Sequence, residues 1–266
     1  MKYYTKFIKG ILFLSISVSC LSAMEIKNLS QAVDVAGKQR MFTQRMLKDY
    51  TMIGMKNSFG NPEDDLKKIV LAFEDHMQSL YDFTEDVSTK KSIEVSQKLW
   101  VSAKKMLDAV PTKENARTLQ VKLEVLLKAA DKTTKLFAKL TGKKSGEIIN
   151  ISGRQRMLSQ RIAGLYMMKA WGIEDPEFKE KMHDSMKLFK ESLNLLSVYE
   201  KNTEETTELL QKVEKSFMFF EMMGGSDTFI PSLLFKKSMS MLKNMNSATG
   251  LYAQIGANQG LHIVLK

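Results

Sequence analysis

The sequence predicts an all-α protein built as two tandem four-helix bundles forming a pseudo-dimer. Three observations carry this. Apolar residues recur at helical spacing from about residue 26 onward, and strand-like alternation is nearly absent. An eleven-residue phrase occurs twice, as Ala36-Gly37-Lys38-Gln39-Arg40-Met41-Phe42-Thr43-Gln44-Arg45-Met46 and, 116 residues later, as Ser152-Gly153-Arg154-Gln155-Arg156-Met157-Leu158-Ser159-Gln160-Arg161-Ile162. After each copy the same order of helix signals follows.

Residues 1–23 read as an export signal and not as part of the fold. Lys2, Lys6 and Lys9 form its positive end, Ile11 to Val18 its apolar stretch, and Leu21-Ser22-Ala23 a cleavage site. The stretch is short for a membrane span, which needs about 20 apolar residues, so an uncleaved anchor is the less favoured alternative. Cys20 is the only cysteine, so the mature chain would carry no disulfide. A lipoprotein site at Cys20 is disfavoured because Ser17 stands where such sites usually have Leu. The expected location is the periplasm.

The first helix runs from about Leu29 to Met55, stopped by Ser58-Phe59-Gly60-Asn61-Pro62. Asn61-Pro62-Glu63-Asp64 opens the second: a cap, a Pro in the first turn and acids at the positive helix end. Leu66, Ile69, Val70, Phe73, Met77 and Leu80 are its apolar stripe. A third helix, after Ser88-Thr89, carries Ile93, Val95, Leu99, Trp100, Ala103 and Met106. Pro111-Thr112 opens a fourth. Thr141-Gly142-Lys143-Lys144-Ser145-Gly146 reads as a linker, dividing a first repeat (24–140) from a second (141–266). The fifth helix holds the second phrase and ends near Trp171-Gly172. Asp175-Pro176-Glu177 opens the sixth, as Asn61-Pro62-Glu63 opened the second. The seventh covers about 204–223 and the eighth about 229–255, with no assignment after Gly256. A short linker allows the two phrase-bearing helices to lie side by side, pointing the same way.

The formal charge of +10 does not indicate nucleic acid, because lysines alternate with acids as on solvated helix faces. Glu180-Lys181-Met182-His183 has the spacing of a di-iron motif, but only once; His76 lacks the matching Glu, and His262 lies near the terminus. The 19 methionines read as core filler. With no nucleophile–base pair, phosphate loop or zinc spacing, the chain reads as a non-enzyme without cofactor or metal.

Helical spacing puts Gly37, Arg40, Met41 and Gln44 on one face with Arg45 at its edge; Gly153, Arg156, Met157, Gln160 and Arg161 repeat the set. Glycine within a helix costs about 1 kcal/mol against Ala, and in return lets another helix or a ligand approach the backbone. Arginine offers a rigid fork of donors matched to planar oxyanions. If the helices meet about a two-fold axis, Arg40 and Arg156 face each other. Their repulsion would reach roughly 4 kcal/mol at ~4 Å with an effective dielectric near 20, and a bound anion would reverse it. Lys38, Arg154, Gln39 and Gln155 are expected at outer or surface positions.

The pattern G-x-x-R-M-x-x-x-R resembles the ligand-binding helix of NarX-type nitrate sensors. The fuller G-x-Q-R-M-x-x-Q-R resembles the PilJ-type sensor domain, the extracytoplasmic N-terminal region of type IV pilus chemotaxis transducers. The resemblance is strong over 36–52 and 152–168. Asn150 fits the NarX-like version and Asp34 departs from it, so the two copies are expected to contribute unequally. The resemblance implies a periplasmic four-helix bundle that binds one anion between first helices. Arg40 and Arg156 would contact the ligand, Gly37 and Gly153 would give backbone approach, and Arg45, Arg161, Gln44, Gln160, Met41 and Met157 would support. The implied ligand is a small anion, nitrate first, and the implied partner a membrane chemoreceptor or sensor kinase, since no second transmembrane segment follows. The alternative is a non-catalytic helical scaffold of the cell envelope that binds only another protein.

Overall fold

A computed structural model describes residues 24–223 and 230–264, with side chains as far as residue 258. The expected export signal and Cys20 lie outside the described residues. The described chain consists of eight helices: α1 Leu29–Gly54, α2 Pro62–Phe83, α3 Val87–Leu107, α4 Lys113–Leu140, α5 Lys144–Ala170, α6 Phe178–Ser197, α7 Glu204–Met223 and α8 Pro231–Val264.

Most helix starts follow from local chemistry. Asn28, Asp86 and Thr112 each accept a backbone N–H from the first turn of α1, α3 and α4. Pro62 opens α2 with Glu63, Asp64 and Asp65 behind it. Asn61 departs from the expected cap: it is left-handed and bonds Asp64 instead of a backbone N–H. The linker is also shorter than its composition suggested, because α5 begins at Lys144 and absorbs Ser145 and Gly146. α8 runs past Gly256 to Val264, where the sequence offered no assignment.

Helices α1–α4 pack on one another and α5–α8 do likewise, in the same order of neighbours, and one continuous apolar cluster runs through both sets. The aromatic layers repeat: Phe73 lies 4.5 Å from Trp100 in the first set, and Phe189 lies 4.4 Å from Phe217 in the second. The sets join mainly through α1 against α5, with α8 on α1 and α4 on α5 as flanking contacts. Gly37 meets Gly153, Lys48 meets Gly164, and Gly54 meets Trp171. Contacts that advance together along both helices make α1 and α5 parallel, as the short linker requires.

The two central helices are therefore covered on almost every side. A helix buried all round is usually apolar, yet α1 buries Asp34, Arg40, Lys48 and Asp49. Each of these polar groups must find a partner inside the protein or carry a desolvation cost. That requirement shapes the site.

Candidate functional site

Arg40 and Arg156 are both fully buried and flank the crossing of Gly37 and Gly153. Arg40 Nη1 donates to Asp131 Oδ1 at 2.6 Å and to Asn150 Oδ1 at 2.8 Å; its Nη2 donates to the Asn150 carbonyl at 3.0 Å. Arg156 repeats the pattern. Its Nη1 donates to Asp34 Oδ1 at 2.7 Å and Asn246 Oδ1 at 3.3 Å, and its Nη2 to the Asp34 carbonyl at 3.0 Å. Each guanidinium thus reaches across the α1–α5 seam and holds one Asp and one Asn, with the helices that supply them exchanged.

Both glycines leave room for the two Nη2 groups, most closely for that of Arg156. A Cβ on Gly37 would stand 3.0 Å from Arg156 Nη2 and 3.4 Å from Arg40 Nη2; on Gly153 the same atoms would be 3.0 and 3.3 Å away. Arg156 Nη2 can reach the Asp34 carbonyl because nothing projects from Gly37, three residues further on.

The two Nη2 atoms lie within 3.4 Å of one common point, so the cations do repel. At ~6 Å and an effective dielectric near 20 the repulsion is about 3 kcal/mol. The seam is nevertheless not a pair of bare cations awaiting an anion, which corrects the sequence expectation. Asp34 and Asp131 neutralise it. Each acid also binds a lysine one turn on, Lys38 at 3.0 Å and Lys135 at 2.6 Å. Burial pushes both carboxyls up, but arginine and lysine outweigh it and hold them below the ordinary carboxylate range. Burial pulls the Arg40 guanidinium down to about 10; Asp131 resists, while Arg154 and Arg156 add to the pull. The departure at Asp34 thus makes the copies more alike in charge, since Asp34 does for Arg156 what Asp131 does for Arg40. One capacity is unused: Nε of both arginines is buried without a hydrogen-bond partner among the described residues.

Residues 141–216 match the family model of the type IV pili methyl-accepting chemotaxis transducer N-terminal domain, PilJ. No curated protein and no solved structure matches the chain. The PilJ match spans α5, α6 and part of α7, and so contains Gly153, Arg156 and the whole second phrase. It associates this stretch with chemotaxis-transducer sensor domains.

The other phrase residues leave the seam. Gln39 and Gln155 are buried, contrary to their expected surface positions, and donate to the carbonyls of Phe73 (3.1 Å) and Phe189 (2.8 Å). They are inside because α1 and α5 are enclosed on nearly all faces. Lys38 and Arg154 are half-buried, at the outer edge. Met41 and Met157 both belong to the apolar core, and Met157 also borders a groove beside α4. Gln44 contacts Thr43 and, at 3.5 Å, Glu124; Gln160 donates to the Ser238 carbonyl.

Arg45 and Arg161 also part company. Arg45 binds Asp65 of α2, with Nε at 2.8 Å. The position equivalent to Asp65 in the PilJ-matching repeat is Lys181, which repels an arginine. Arg161 therefore crosses to Glu124 of α4 and bonds Ser185. The six supporting residues thus brace helices instead of lining one ligand cavity with Arg40 and Arg156.

Sequence reasoning missed Asp131 and Asn246, which stand at the 115 offset already visible in Leu127-Lys128 and Leu242-Lys243. It also missed Lys48 and Asp49, both fully buried and 3.4 Å apart. Lys48 Nζ sits 4.2 Å from the centre of the Phe235 ring and donates to Gln160 Oε1 at 3.0 Å. Burial pushes the Asp49 carboxyl up and the Lys48 ammonium down. Gly164 and Leu165 hold the equivalent positions, so this pair belongs to the first repeat alone. Among the described residues no group of three or more His, Cys, Asp or Glu is placed to hold a metal. No described helix is long and apolar enough to cross a membrane.

Proposed function

We propose that the protein is a periplasmic, non-catalytic sensor module that binds a small oxyanion at the arginine seam. Nitrate is the first candidate, and the bound state would be read by a membrane chemoreceptor or sensor kinase. The observation that carries this reading is the convergence of two fully buried guanidiniums on one glycine crossing, each with an unused Nε donor. A planar oxyanion takes paired donors from a guanidinium, as a carboxylate does. It would enter by exchange, replacing the carboxylates of Asp34 and Asp131. Affinity would then be the small difference between two anions' attraction to the same cations, and the exchange would loosen α4 from the seam. That is the conformational consequence a sensor needs.

Calorimetric titration of the purified protein with nitrate, beside Asp131→Asn and Arg156→Lys, tests the reading. Exchange predicts that Asp131→Asn tightens binding by removing the competitor, and that Arg156→Lys abolishes it by removing the fork. No saturable heat with nitrate or nitrite in either the natural or the Asp131→Asn protein would reject it.

One observation favours a second reading. Every Nη group of the seam that the ligand would need already holds a carboxylate, an amide or a carbonyl. A helical scaffold could use such a network only to hold α1 and α5 in register, a known use of buried polar groups. On that reading Asp131→Asn lowers stability and gains no ligand.

A further inference from the structure

Between α4, α5 and α6 runs a groove of about 860 Å³. Lys128, Lys132, Lys135 and Lys139 form one wall, spaced four, three and four residues apart, which aligns them on a single face of α4. Arg154, Arg161 and Lys181 stand opposite, and the floor is apolar, with Leu136, Met157 and Leu188. The row spans about 16 Å at the helical rise per residue. Here the charge is not scattered.

The groove contains three acids: Glu124 and Asp131 are engaged in ion pairs, and Asp184 of α6 forms none with a described residue. Glu124 is held by Arg161, and Asp131 by Arg40 and Lys135. Arg161 and Lys181 are likewise engaged, Lys181 with Asp175 and Glu177. Lys128, Lys132, Lys139 and Arg154 form no ion pair with any described carboxylate. The result is a concave apolar strip edged by unpaired cations. Leu188, at its side, is 37% exposed.

We propose that this groove docks an acidic amphipathic helix of a partner protein. Its apolar side would lie on the Leu136–Met157–Leu188 floor, and its carboxylates would meet Lys128, Lys132, Lys139 and Arg154. Helix-in-groove recognition uses anchors at three- and four-residue spacing, the same spacing as the lysines. Cations spread along the whole length suit a line of carboxylates better than the single head of an amphiphile. Single-stranded nucleic acid is disfavoured because no aromatic side chain lines the groove for bases to stack on. Lys135 links the groove to the seam: a carboxylate that draws it away changes the charge beside Asp131, the acid that holds Arg40. The groove proposal does not require the seam to bind an anion.

The test is fluorescence anisotropy of a labelled peptide of about 15 residues, with Glu on one helical face and Leu on the other. It is titrated with the purified protein and with a Lys132→Glu/Lys139→Glu variant. Both lysines are exposed and unpaired, so the variant should keep the parent's thermal unfolding curve. The expected result is saturable, salt-sensitive binding that the double substitution weakens about tenfold or more. A peptide with Lys in place of Glu should recover affinity for the variant. Three results would each overturn the proposal: no saturable binding, equal affinity for parent and variant, or lysine-dependent binding to phosphatidylglycerol vesicles or an oligonucleotide while the peptide fails.

Discussion

Replacing Arg40 by Met while leaving Asp131 in place should clearly destabilise the chain. The same replacement should be far less harmful when Asp131 becomes Asn at the same time. Arg40 is fully buried and makes three hydrogen bonds, two of them to Asn150. Hydrogen bonds to charged groups contribute about 1.5–3 kcal/mol, and removing one partner of a buried pair costs about 3–5 kcal/mol. The lower end applies here: the Asp131 side chain keeps 27% exposure and retains Lys135. Met also removes the repulsion with Arg156. A net loss of about 2–3 kcal/mol follows, or roughly 4–12 °C in Tm for a chain of this size. Asp131→Asn alone should cost about 1–2 kcal/mol, because it leaves the buried cation with amide acceptors only. The double variant should cost less than the sum by about 1–2 kcal/mol. Urea denaturation of the four proteins gives this coupling directly. A coupling under about 0.5 kcal/mol, or an Arg40→Met protein as stable as its parent, would refute the claim that Asp131 neutralises the seam.

Two further outcomes follow from the same packing. Gly153→Ala gains about 1 kcal/mol of helix propensity, yet must displace Arg156 Nη2 from 3.0 Å; the expected net loss is about 1 kcal/mol. Gly54→Ala should lose more, about 2–3 kcal/mol, because its Cβ would fall 2.1 Å from the Trp171 ring. Thermal unfolding should rank the two in that order, and the reverse order would contradict the geometry. The pH dependence has two opposing parts. Asp34 and Asp131 have folded pKa values held below the unfolded value, so their stabilisation is present above ~pH 4 and is lost as pH falls through the folded values. Asp49 is raised by burial, so its contribution is fullest below ~pH 4 and is lost as pH rises. Asp49→Asn should therefore gain on the parent in urea midpoint between ~pH 4 and neutrality. A constant difference over that range would sink the assignment.

Much of the fold was legible because it rests on local signals. The eight helices announce themselves through apolar spacing and start residues such as Pro62 and Thr112. The doubled phrase indicated that α1 and α5 would be neighbours, and the seam does bring Arg40, Arg156, Gly37 and Gly153 together. What the arginines hold was not legible. Asp131 and Asn246 lie far from the phrase in sequence, and only the packing of α4 and α8 on the central pair brings them in. The lysine row on α4 could have been seen from its spacing, but not the apolar floor, where α5 and α6 bring Met157 and Leu188 beside Leu136.

By itself the sequence determined the helices and the doubled phrase, and it allowed the parallel pairing of the two copies. Periodicity, capping and linker length act within a few residues, and they leave few topologies open. The tertiary structure alone decided that the seam is neutral, that Gln39 and Gln155 are inside, and that Arg45 and Arg161 find different partners. A buried charge takes whatever counter-charge the neighbouring helices bring within hydrogen-bond reach. One exchange of Asp65 for Lys181 at equivalent positions was enough to send the second arginine to another helix.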